Sequence, residues 1–472
     1  MICGQRYHIF LIIFDAKFSH MKIHLIAIGG SAMHNLAIAL KRKGYDVGGS
    51  DDEIFEPSRS RLEKNGLMPD PICWNADRID KNLDAVILGM HARADNPELK
   101  RARELGLKIY SYPEYLYQQC KDKRRVAIAG SHGKTTVTAM VMHVLRLSGV
   151  DFDYMVGAQV DGFDAMVRLS DSAKIAIFEG DEYPSSALDP RPKFHLYCPH
   201  VALITGIAWD HINVFPTFDN YVEQFQIFTE CLEPGGELFY YANDPVLEQV
   251  VGNSREVAKP YLTHPHRLCD GKTVLLAEQQ QPVEVSFFGA HNMQNVSAAL
   301  HICRHLDISD GQFYQAIASF KGAARRLQTL AKSEHTHIFL DFAHSPSKVR
   351  ATVDAVKNQY PQRSLAACLE LHTFSSLSEN FLQYYNGAMS SADHAWVYYN
   401  PETVRHKKLT FFEPEVVRKA FAAPNMEVFT DSEAFLQKIK TTDWFDKNLL
   451  IMSSGNFNGL DFSSVLAQYR VS

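Results

Sequence analysis

The chain has 472 residues, of which 46% are hydrophobic and 22% are charged, and its formal net charge is -6. At roughly 100 to 200 residues per domain, this length is too great for one core and predicts about three domains. Because the charge is mild and no lysine or arginine block stands out, the composition argues against a nucleic-acid surface and a polybasic membrane tether.

Residues 1–20 are expected to form an unstructured extension, consistent with an upstream start codon, rather than an export signal. Their apolar run HIFLIIF stops at Asp15, far short of the roughly 20 residues that span a bilayer, and no small-residue cleavage site follows. Met21 then opens the first domain-like segment. The eight cysteines stand singly without a CxxC pair, which favours reduced thiols. We therefore expect a cytoplasmic protein without membrane insertion.

The first predicted unit begins with IHLIAI, a buried strand over 23–28, which Gly29 and Gly30 connect to an amphipathic helix. This turn is a degenerate GxGxxG pattern, and Asp51 follows about twenty residues later, where dinucleotide-binding folds place a ribose-binding acid. An NAD(P)-dependent oxidoreductase is one interpretation of these residues. A different nucleotide-like ligand and simple helix–strand packing are the others.

The second unit opens with VAIAGSHGKTTVTAM, which predicts a strand, a glycine-bearing loop and a helix, the context that a phosphate loop requires. Ile128 stands where the usual GxxxxGK[ST] pattern has its first glycine. The prediction of a phosphate loop therefore depends on the strand, loop and helix around it more than on the pattern. Backbone N–H groups at the helix N-terminus can bind phosphates, while Lys134 can reach the β and γ oxygens and Thr135 can ligate Mg²⁺. A tight turn with a solvated lysine is the disfavoured alternative.

Acidic and histidine residues follow the next two predicted strands. Glu179, Asp181 and Glu182 lie in IFEGDEY, and Asp210 and His211 lie in ITGIAWDHINVF. Because the carboxyl ends of parallel strands share one edge, Glu179 and His211 are predicted to meet Mg²⁺ beside the γ-phosphate. Taken alone, His211 also fits a structural histidine, because histidine is an uncommon ligand of Mg²⁺. A nucleotide-binding switch without catalysis is a further interpretation of the loop.

A third unit starts near Gly322, where HIFLDFAHSPSKVRATVDAV predicts a strand, a polar turn and a helix. LLIMSSGNFNG closes the pattern with a last strand and a glycine-rich turn. Alternating strands and helices predict parallel, doubly wound sheets, so the sequence favours an α/β protein of three units.

Taken in order, GSHGKTT, EGDEY, WDHINVF, FFGAHNMQNVSAAL, ARR and DFAHSPS resemble the Mur ligases of peptidoglycan synthesis. The resemblance runs from about Lys22 to the C-terminus. It implies a Rossmann-like N-terminal domain, a central P-loop ATPase-type domain with a parallel sheet, and a Rossmann-like C-terminal domain. The corresponding expected ranges are 21–120 for the UDP-sugar, 121–322 for ATP and 323–472 for the amine substrate.

The resemblance also implies the site residues. ATP is expected to contact Gly130, Ser131, His132, Gly133, Lys134, Thr135, Thr136, His291, Asn292, Asn295, Arg326, Asp341 and His344. Thr135, Glu179 and His211 are the expected Mg²⁺ ligands, and Lys134, Glu179 and His211 are the expected catalytic residues. The UDP-sugar is expected to contact Gly29, Gly30, Ser31, Met33, Ser50, Asp51 and His91. Taken alone, Asn295 also fits a helix cap, and Arg325 with Arg326 fits a solvated linker pair.

Two departures from the family pattern bear on the substrates. VEQFQIF lacks the carbamylated lysine of several members, which favours the branch that acts directly on UDP-N-acetylmuramate. Within that branch, GSAMHNLA, LDPRPKFHLYCP and HINVFPTF resemble the members that add a tripeptide. The implied reaction joins the lactyl carboxylate of UDP-N-acetylmuramate to L-alanyl-γ-D-glutamyl-meso-diaminopimelate in peptidoglycan recycling. The alternative amine is L-alanine, which is used in de novo synthesis. The branch's arginine near Phe374 is absent. The expected partners are these small molecules alone, and the oligomeric state is not predicted.

Overall fold

The computed structural model describes residues 21–90, 92–254, 257–269, 271–278, 281–423 and 425–462. The expected extension at 1–20 and the predicted UDP-sugar residue His91 lie outside these residues. The chain divides into two compact units, one ending at Tyr110 and the other beginning at Ser111. None of the helices in the described ranges combines the length and hydrophobicity that a bilayer crossing requires.

The first unit is built on a four-stranded sheet with the order β2-β1-β3-β4. Its strands are β1 (Lys22–Ile26), β2 (Asp46–Ser50), β3 (Ala85–Leu88) and β4 (Ile109–Ser111). Its helices are α1 (Ser31–Arg42), α2 (Ser58–Lys64) and α3 (Pro97–Glu104). β1 runs parallel to both β2 and β3, as the alternating pattern predicts. The first strand ends two residues earlier than predicted, because Ala27 adopts a left-handed conformation with φ 68.

A seven-stranded sheet with the order β11-β10-β9-β5-β8-β6-β7 begins the second unit. Its strands are β5 (Arg124–Ala129), β6 (Phe152–Met155), β7 (Val167–Arg168), β8 (Ile175–Glu179), β9 (Val201–Ile204), β10 (Glu237–Tyr241) and β11 (Ala258–Tyr261). Its helices are α4 (Tyr112–Cys120), α5 (Lys134–Leu147), α6 (Phe218–Glu230), α7 (Pro245–Val250), α8 (Ala290–His305) and α9 (Asp310–Ile317). β5 pairs in parallel with β8 and β9, so three strands of this sheet end side by side.

Helix α5 supplies much of the core beneath the phosphate loop. The apolar residues that predicted its buried face, including Val137, Met140 and Val144, are fully buried. They pack with residues of α8, among them Val296 and Ala299, in one hydrophobic cluster. The burial of this face fixes the start of α5 against the sheet edge.

A small antiparallel sheet, which the sequence did not predict, follows. It contains β12 (His266–Cys269), β13 (Lys272–Leu275) and β14 (Val283–Val285). Strands of three or four residues carry too little periodicity to be recognised from sequence.

The chain ends in a six-stranded sheet with the order β15-β16-β20-β17-β18-β19. Its strands are β15 (Gln328–Lys332), β16 (His337–Asp341), β17 (Ser364–Leu371), β18 (His394–Tyr399), β19 (Met426–Phe429) and β20 (Lys447–Met452). Its helices are α10 (Pro346–Gln359), α11 (Glu379–Leu382), α12 (Pro401–His406), α13 (Pro414–Phe421) and α14 (Ser432–Thr441). β15 pairs antiparallel with β16, whereas the pairs formed by β16 to β20 are parallel.

Candidate active site

The loop between β5 and α5 requires both of its glycines. Gly130 has φ 122 and Gly133 has φ 71, in the region that side-chain-bearing residues rarely adopt. A Cβ on Gly130 would lie 2.2 Å from Thr205 Oγ1, and one on Gly133 would lie 2.3 Å from Asn295 Oδ1. The backbone therefore passes too close to its neighbours for any larger residue. The resulting loop leads directly into the N-terminus of α5, the geometry of a phosphate-binding loop.

Lys134 is held by a buried carboxylate that was not among the predicted site residues. Its Nζ donates to Gly130 O at 2.6 Å and to Glu182 Oε2 at 2.7 Å. Burial alone would lower the pKa of Lys134, but the facing carboxylates of Glu182 and Asp181 outweigh it and raise that pKa. Burial opposes ionisation of Glu182 as well, yet Lys134 and His211 hold its pKa well below the usual range. Lys134 and Glu182 therefore form a charged, buried pair.

Thr135 and Glu179 form the second part of the site. Thr135 Oγ1 donates to Glu179 Oε1 at 2.7 Å, and Gly157 N donates to Glu179 Oε2 at 2.6 Å. Arg326 Nη2 donates to Thr135 Oγ1 at 3.1 Å, which brings the linker before β15 to the phosphate loop. The structure therefore unites three predicted site residues, Thr135, Glu179 and Arg326, around one hydroxyl.

His211 lies on the far side of Glu182 from the lysine. Its Nε2 is 3.5 Å from Glu182 Oε1, and its Nδ1 is 4.0 Å from Asp210 Oδ1. Tyr221 OH also donates to Glu182 Oε1, at 3.2 Å. Burial would lower the pKa of His211, but Asp210 and Glu182 outweigh it and raise that pKa. The structure therefore groups His211 with Glu182 and Asp210.

Thr135 and Glu179 fit a magnesium ion chemically, because hydroxyl and carboxylate oxygens are hard ligands. In the described ranges, no group of three His, Cys, Asp or Glu side chains could hold a metal ion. Mg²⁺ often takes one or two protein carboxylates and completes its octahedron with water and substrate phosphate, so the two residues suffice for the protein's share.

Side chains from the last sheet reach the same place. Lys348 Nζ, in the first turn of α10, donates to Asp210 Oδ2 at 2.9 Å, and His344 Nε2 lies 3.6 Å from the same oxygen. His132 Nε2 and Ser347 Oγ are 2.7 Å apart, which joins the phosphate loop to the N-terminus of α10. Burial and the charge of Lys348 lower the pKa of His132 to about 3, so its imidazole is neutral. The central and last sheets thus meet at the phosphate loop.

Asp341, at the end of β16, organises the turn that carries His344. Its side chain accepts from the backbone N–H groups of Leu327 and Ala343. His344 Nδ1 lies 2.9 Å from Phe342 O, which leaves Nε2 facing Asp210. The two predicted C-terminal residues therefore act together, one by shaping the turn and one by reaching the site.

A cavity of about 340 Å³ lies between α8 and the linker before β15, and its walls include Asn292, Phe288, Lys321 and Arg326. Asn292 Nδ2 donates to Phe288 O at 2.8 Å, and Asn295 Nδ2 donates to Asn292 Oδ1 at 3.3 Å. Asn295 is not a helix cap, because α8 begins at Ala290 with a glycine as its N-cap. Burial lowers the pKa of the neighbouring His291. Two of the predicted nucleotide contacts, Asn292 on α8 and Arg326 in the linker, thus line a space of ligand size.

In the first unit, Asp51 closes the turn after β1. Gly29 N donates to Asp51 Oδ2 at 2.7 Å, and a Cβ on Gly29 would lie 2.8 Å from that oxygen. Asp51 is 1% exposed, and burial raises the pKa of its carboxyl to about 6. The carboxylate proposed from sequence to contact a ribose is thus first a partner of the turn.

The other predicted UDP-sugar residues differ in exposure. Met33 is 4% exposed and belongs to the core, whereas Ser31 is exposed at the start of α1. Ser50 donates its hydroxyl to the buried carboxylate of Glu98, whose Oε2 is also 3.0 Å from His24 Nε2. The turn around Gly29, Ser31 and Asp51 is the part of this set that lies at the carboxyl edge of the sheet, where ligands of such folds bind.

Comparisons with known proteins identify the family. Residues 22–124 match the Mur ligase family catalytic domain, and residues 128–303 match the Mur ligase middle domain. The UDP-N-acetylmuramate–L-alanine ligase of Limosilactobacillus reuteri is 30% identical over 389 residues, which are 79% of this chain and 84% of that protein. The chain belongs to the Mur ligase family. Because members of this family are ATP-dependent amide ligases, this Mur ligase is an ATP-dependent enzyme, and the oxidoreductase and switch interpretations lose their support.

A second relative and a solved structure extend the match. The UDP-N-acetylmuramate–L-alanyl-γ-D-glutamyl-meso-2,6-diaminoheptandioate ligase of Haemophilus influenzae is 26% identical over 449 residues, 93% of this chain and 97% of that protein. The structure of the UDP-N-acetylmuramate–alanine ligase from Thermotoga maritima is 20% identical, with a TM-score of 0.70 and coverage of 95% of this Mur ligase and 99% of that chain. The predicted α/β fold of the family is therefore confirmed.

Three residues of the site, Glu182, Asp210 and Lys348, were missed as site residues by sequence reasoning. Glu182 stands in the EGDEY stretch, and Lys348 directly follows AHSPS. Their charges were visible, but their contacts with Lys134 and Asp210 depend on strand order and sheet packing, which the sequence does not display. The roles expected for the predicted residues stay predictions.

Proposed function

We propose that this Mur ligase joins the lactyl carboxylate of UDP-N-acetylmuramate to the amino group of L-alanyl-γ-D-glutamyl-meso-diaminopimelate, in the cytoplasm, with conversion of ATP to ADP and phosphate. The observation that carries the ligase chemistry is one edge of the central sheet. There Lys134 stands beside Thr135 and Glu179, while Asp210 faces Lys348 from the last sheet. Two lysines, a hydroxyl and two carboxylates thus lie near one another, which supports a site for the transfer of a phosphoryl group.

The first step activates the carboxylate, which is too electron-rich for an amine to attack directly. A carboxylate oxygen of UDP-N-acetylmuramate attacks the γ-phosphorus of ATP, the bond to the β–γ bridging oxygen breaks, and ADP leaves. Lys134 offsets the negative charge that the transferred phosphoryl group carries, as electrostatic stabilisation of this reaction class requires. Thr135 and Glu179 would hold Mg²⁺, which screens the phosphate charges when it is bound. An acyl phosphate results.

In the second step the peptide amine attacks the acyl carbon, the bond to the phosphate oxygen breaks, and a proton passes from nitrogen to the departing phosphate. We assign to Asp210 and His211 the orientation of this end of the site, because Asp210 joins the His211 loop to Lys348 and His344. Contacts between the two sheets keep water from the acyl phosphate. Positioning and electrostatics suffice, and the protein needs no covalent intermediate of its own.

The choice of the peptide as the amine substrate rests on how much of this chain each relative matches. The Haemophilus influenzae protein, named for the tripeptide, matches 93% of this chain, whereas the Limosilactobacillus reuteri protein, named for L-alanine, matches 79%. Because the longer match leaves so little of this chain unmatched, it must include most of the last sheet, where the amine is expected to bind. L-alanine remains the second candidate, because several relatives of similar identity carry its name.

The test measures phosphate release with UDP-N-acetylmuramate, ATP and Mg²⁺ fixed and with the tripeptide or L-alanine as amine, and identifies the amide product by mass spectrometry. We expect kcat/KM for the tripeptide to exceed that for L-alanine at least tenfold, a difference of about 1.4 kcal/mol. A preference for L-alanine would replace the proposed substrate with the second candidate. Phosphate release without dependence on either amine would overturn the proposed reaction.

A further inference from the structure

The last sheet places a lysine at the edge that faces the site. β17 and β18 are parallel neighbours, so the residues after Leu371 and after Tyr399 leave the sheet at the same edge. Phe374 follows β17, and α12 with Lys407 at its C-cap follows β18. The end of β16, which carries the turn to His344, lies on this carboxyl edge as well, because β16 and β17 both run parallel to β20.

Lys407 is a cation without a protein counter-ion in the described part of the chain. Its Nζ lies 4.3 Å from the centre of the Phe374 ring, and the described carboxylates form no ion pair with it. Partial burial lowers the pKa of Lys407. A lysine held over an aromatic face keeps its N–H donors available, so Lys407 is fixed in place and still able to bind an anion. Phe374, its support, is 40% exposed.

A short chain of contacts links this pair to the reaction centre. Ser375, the residue after Phe374, accepts at Oγ from Ile212 N at 3.3 Å. Ile212 directly follows His211, which lies beside Glu182 and Asp210. The described contacts of Lys407 do not include His211, Glu182 or Asp210, so the Phe374–Ser375 segment separates its ammonium from the reaction centre.

This separation distinguishes the candidate amines. L-alanine carries its carboxylate on the carbon that bears the amine, so it cannot touch both places. A three-residue peptide spans about 10 Å when extended, and the diaminopimelate residue at its far end carries two carboxylates. We infer that Lys407, supported by Phe374, binds a carboxylate of the third residue of the peptide amine and so determines specificity for the tripeptide. The inference rests on the proposed function and adds the residue that binds the far end of the peptide.

The experiment compares Lys407→Met, which keeps the aliphatic stem over the ring, with the matched control Lys408→Met, whose lysine is exposed beside it. Each is assayed with the tripeptide and with the dipeptide L-alanyl-γ-D-glutamate, which lacks the third residue. We expect Lys407→Met to lower kcat/KM for the tripeptide about tenfold, mainly through KM, and to leave the dipeptide within twofold. Lys408→Met should change neither. Thermal melting of all three proteins checks the fold.

Other outcomes separate the two proposals. An equal loss on tripeptide and dipeptide would make Lys407 structural, and an unchanged tripeptide value would remove it from the substrate site; either overturns the inference alone. A native enzyme that does not accept the tripeptide at all would overturn the proposed function, and the inference with it, before any variant is compared.

Discussion

Lys134 Nζ donates to Glu182 Oε2 at 2.7 Å, and the two side chains are 13% and 1% exposed. A carboxylate is thus paired with the lysine that we propose binds the phosphate of ATP. Because a buried ion pair depends on both partners, removal of either has consequences for stability as well as for catalysis.

Lys134→Ala should abolish ligation and also destabilise the protein. Because the cation that stabilises the transferred phosphoryl group is lost, we expect kcat to fall at least a hundredfold. It also leaves Glu182 charged and buried without a partner, at a cost of about 3 to 5 kcal/mol. The double variant Lys134→Ala/Glu182→Gln should recover much of the melting temperature but none of the activity. Near-normal turnover in the single variant would contradict the assignment of the phosphate loop.

Glu182→Gln should tighten nucleotide binding. The neutral amide no longer competes with phosphate for Lys134, so we expect the Kd for ATP in calorimetry to fall about three- to tenfold, or about 1 kcal/mol. Glu223→Gln, which changes an exposed carboxylate on α6, serves as the control. Weaker ATP binding in Glu182→Gln would show that the carboxylate assists the nucleotide instead of competing with it.

Glu179→Gln should raise the Mg²⁺ concentration needed for half-maximal activity by at least tenfold, because Glu179 adjoins the Thr135 hydroxyl. His211→Asn should raise it by a smaller factor, since the described contacts of His211 are with Glu182 and Asp210. Titration of Mg²⁺ at saturating ATP measures both. If neither titration moves, the two residues have structural roles only.

Asp51→Asn should stabilise the protein near neutral pH. Burial raises the pKa of Asp51 to about 6, so the native state favours its protonated form. The stability from this preference is full below about pH 4 and is lost as the pH rises through about 6. At pH 7.5 the variant should therefore be more stable than the native protein, with little gain at pH 4. Thermal melting across this range measures the difference, and Glu63→Gln, which changes an exposed carboxylate on α2, is the control. A gain that does not change with pH would contradict the assignment to this carboxyl.

The sequence was informative where structure depends on neighbours along the chain. The strand, loop and helix around Lys134 were predicted because glycine positions and apolar spacing are local signals. Ala27 shows the limit, since its φ of 68 ends β1 within a continuous apolar run. Arg325 shows another, because it is no solvated linker residue and donates to Ser453 O and Gly455 O, both at 2.7 Å. Partners more than a hundred residues away have no local signature.

The strand order β9-β5-β8 has a consequence for how the enzyme cycles. Lys134, Glu179 and Glu182 all stand on the edge of one hydrogen-bonded sheet, so their mutual arrangement survives any displacement of the last sheet. Lys348 and His344 reach Asp210 from that other sheet and would depart with it. The proposed phosphate contact of Lys134 and the contacts that the last sheet adds are therefore separable. A compound that wedges the two sheets apart should stop turnover and leave ATP held by its contacts with the central sheet alone.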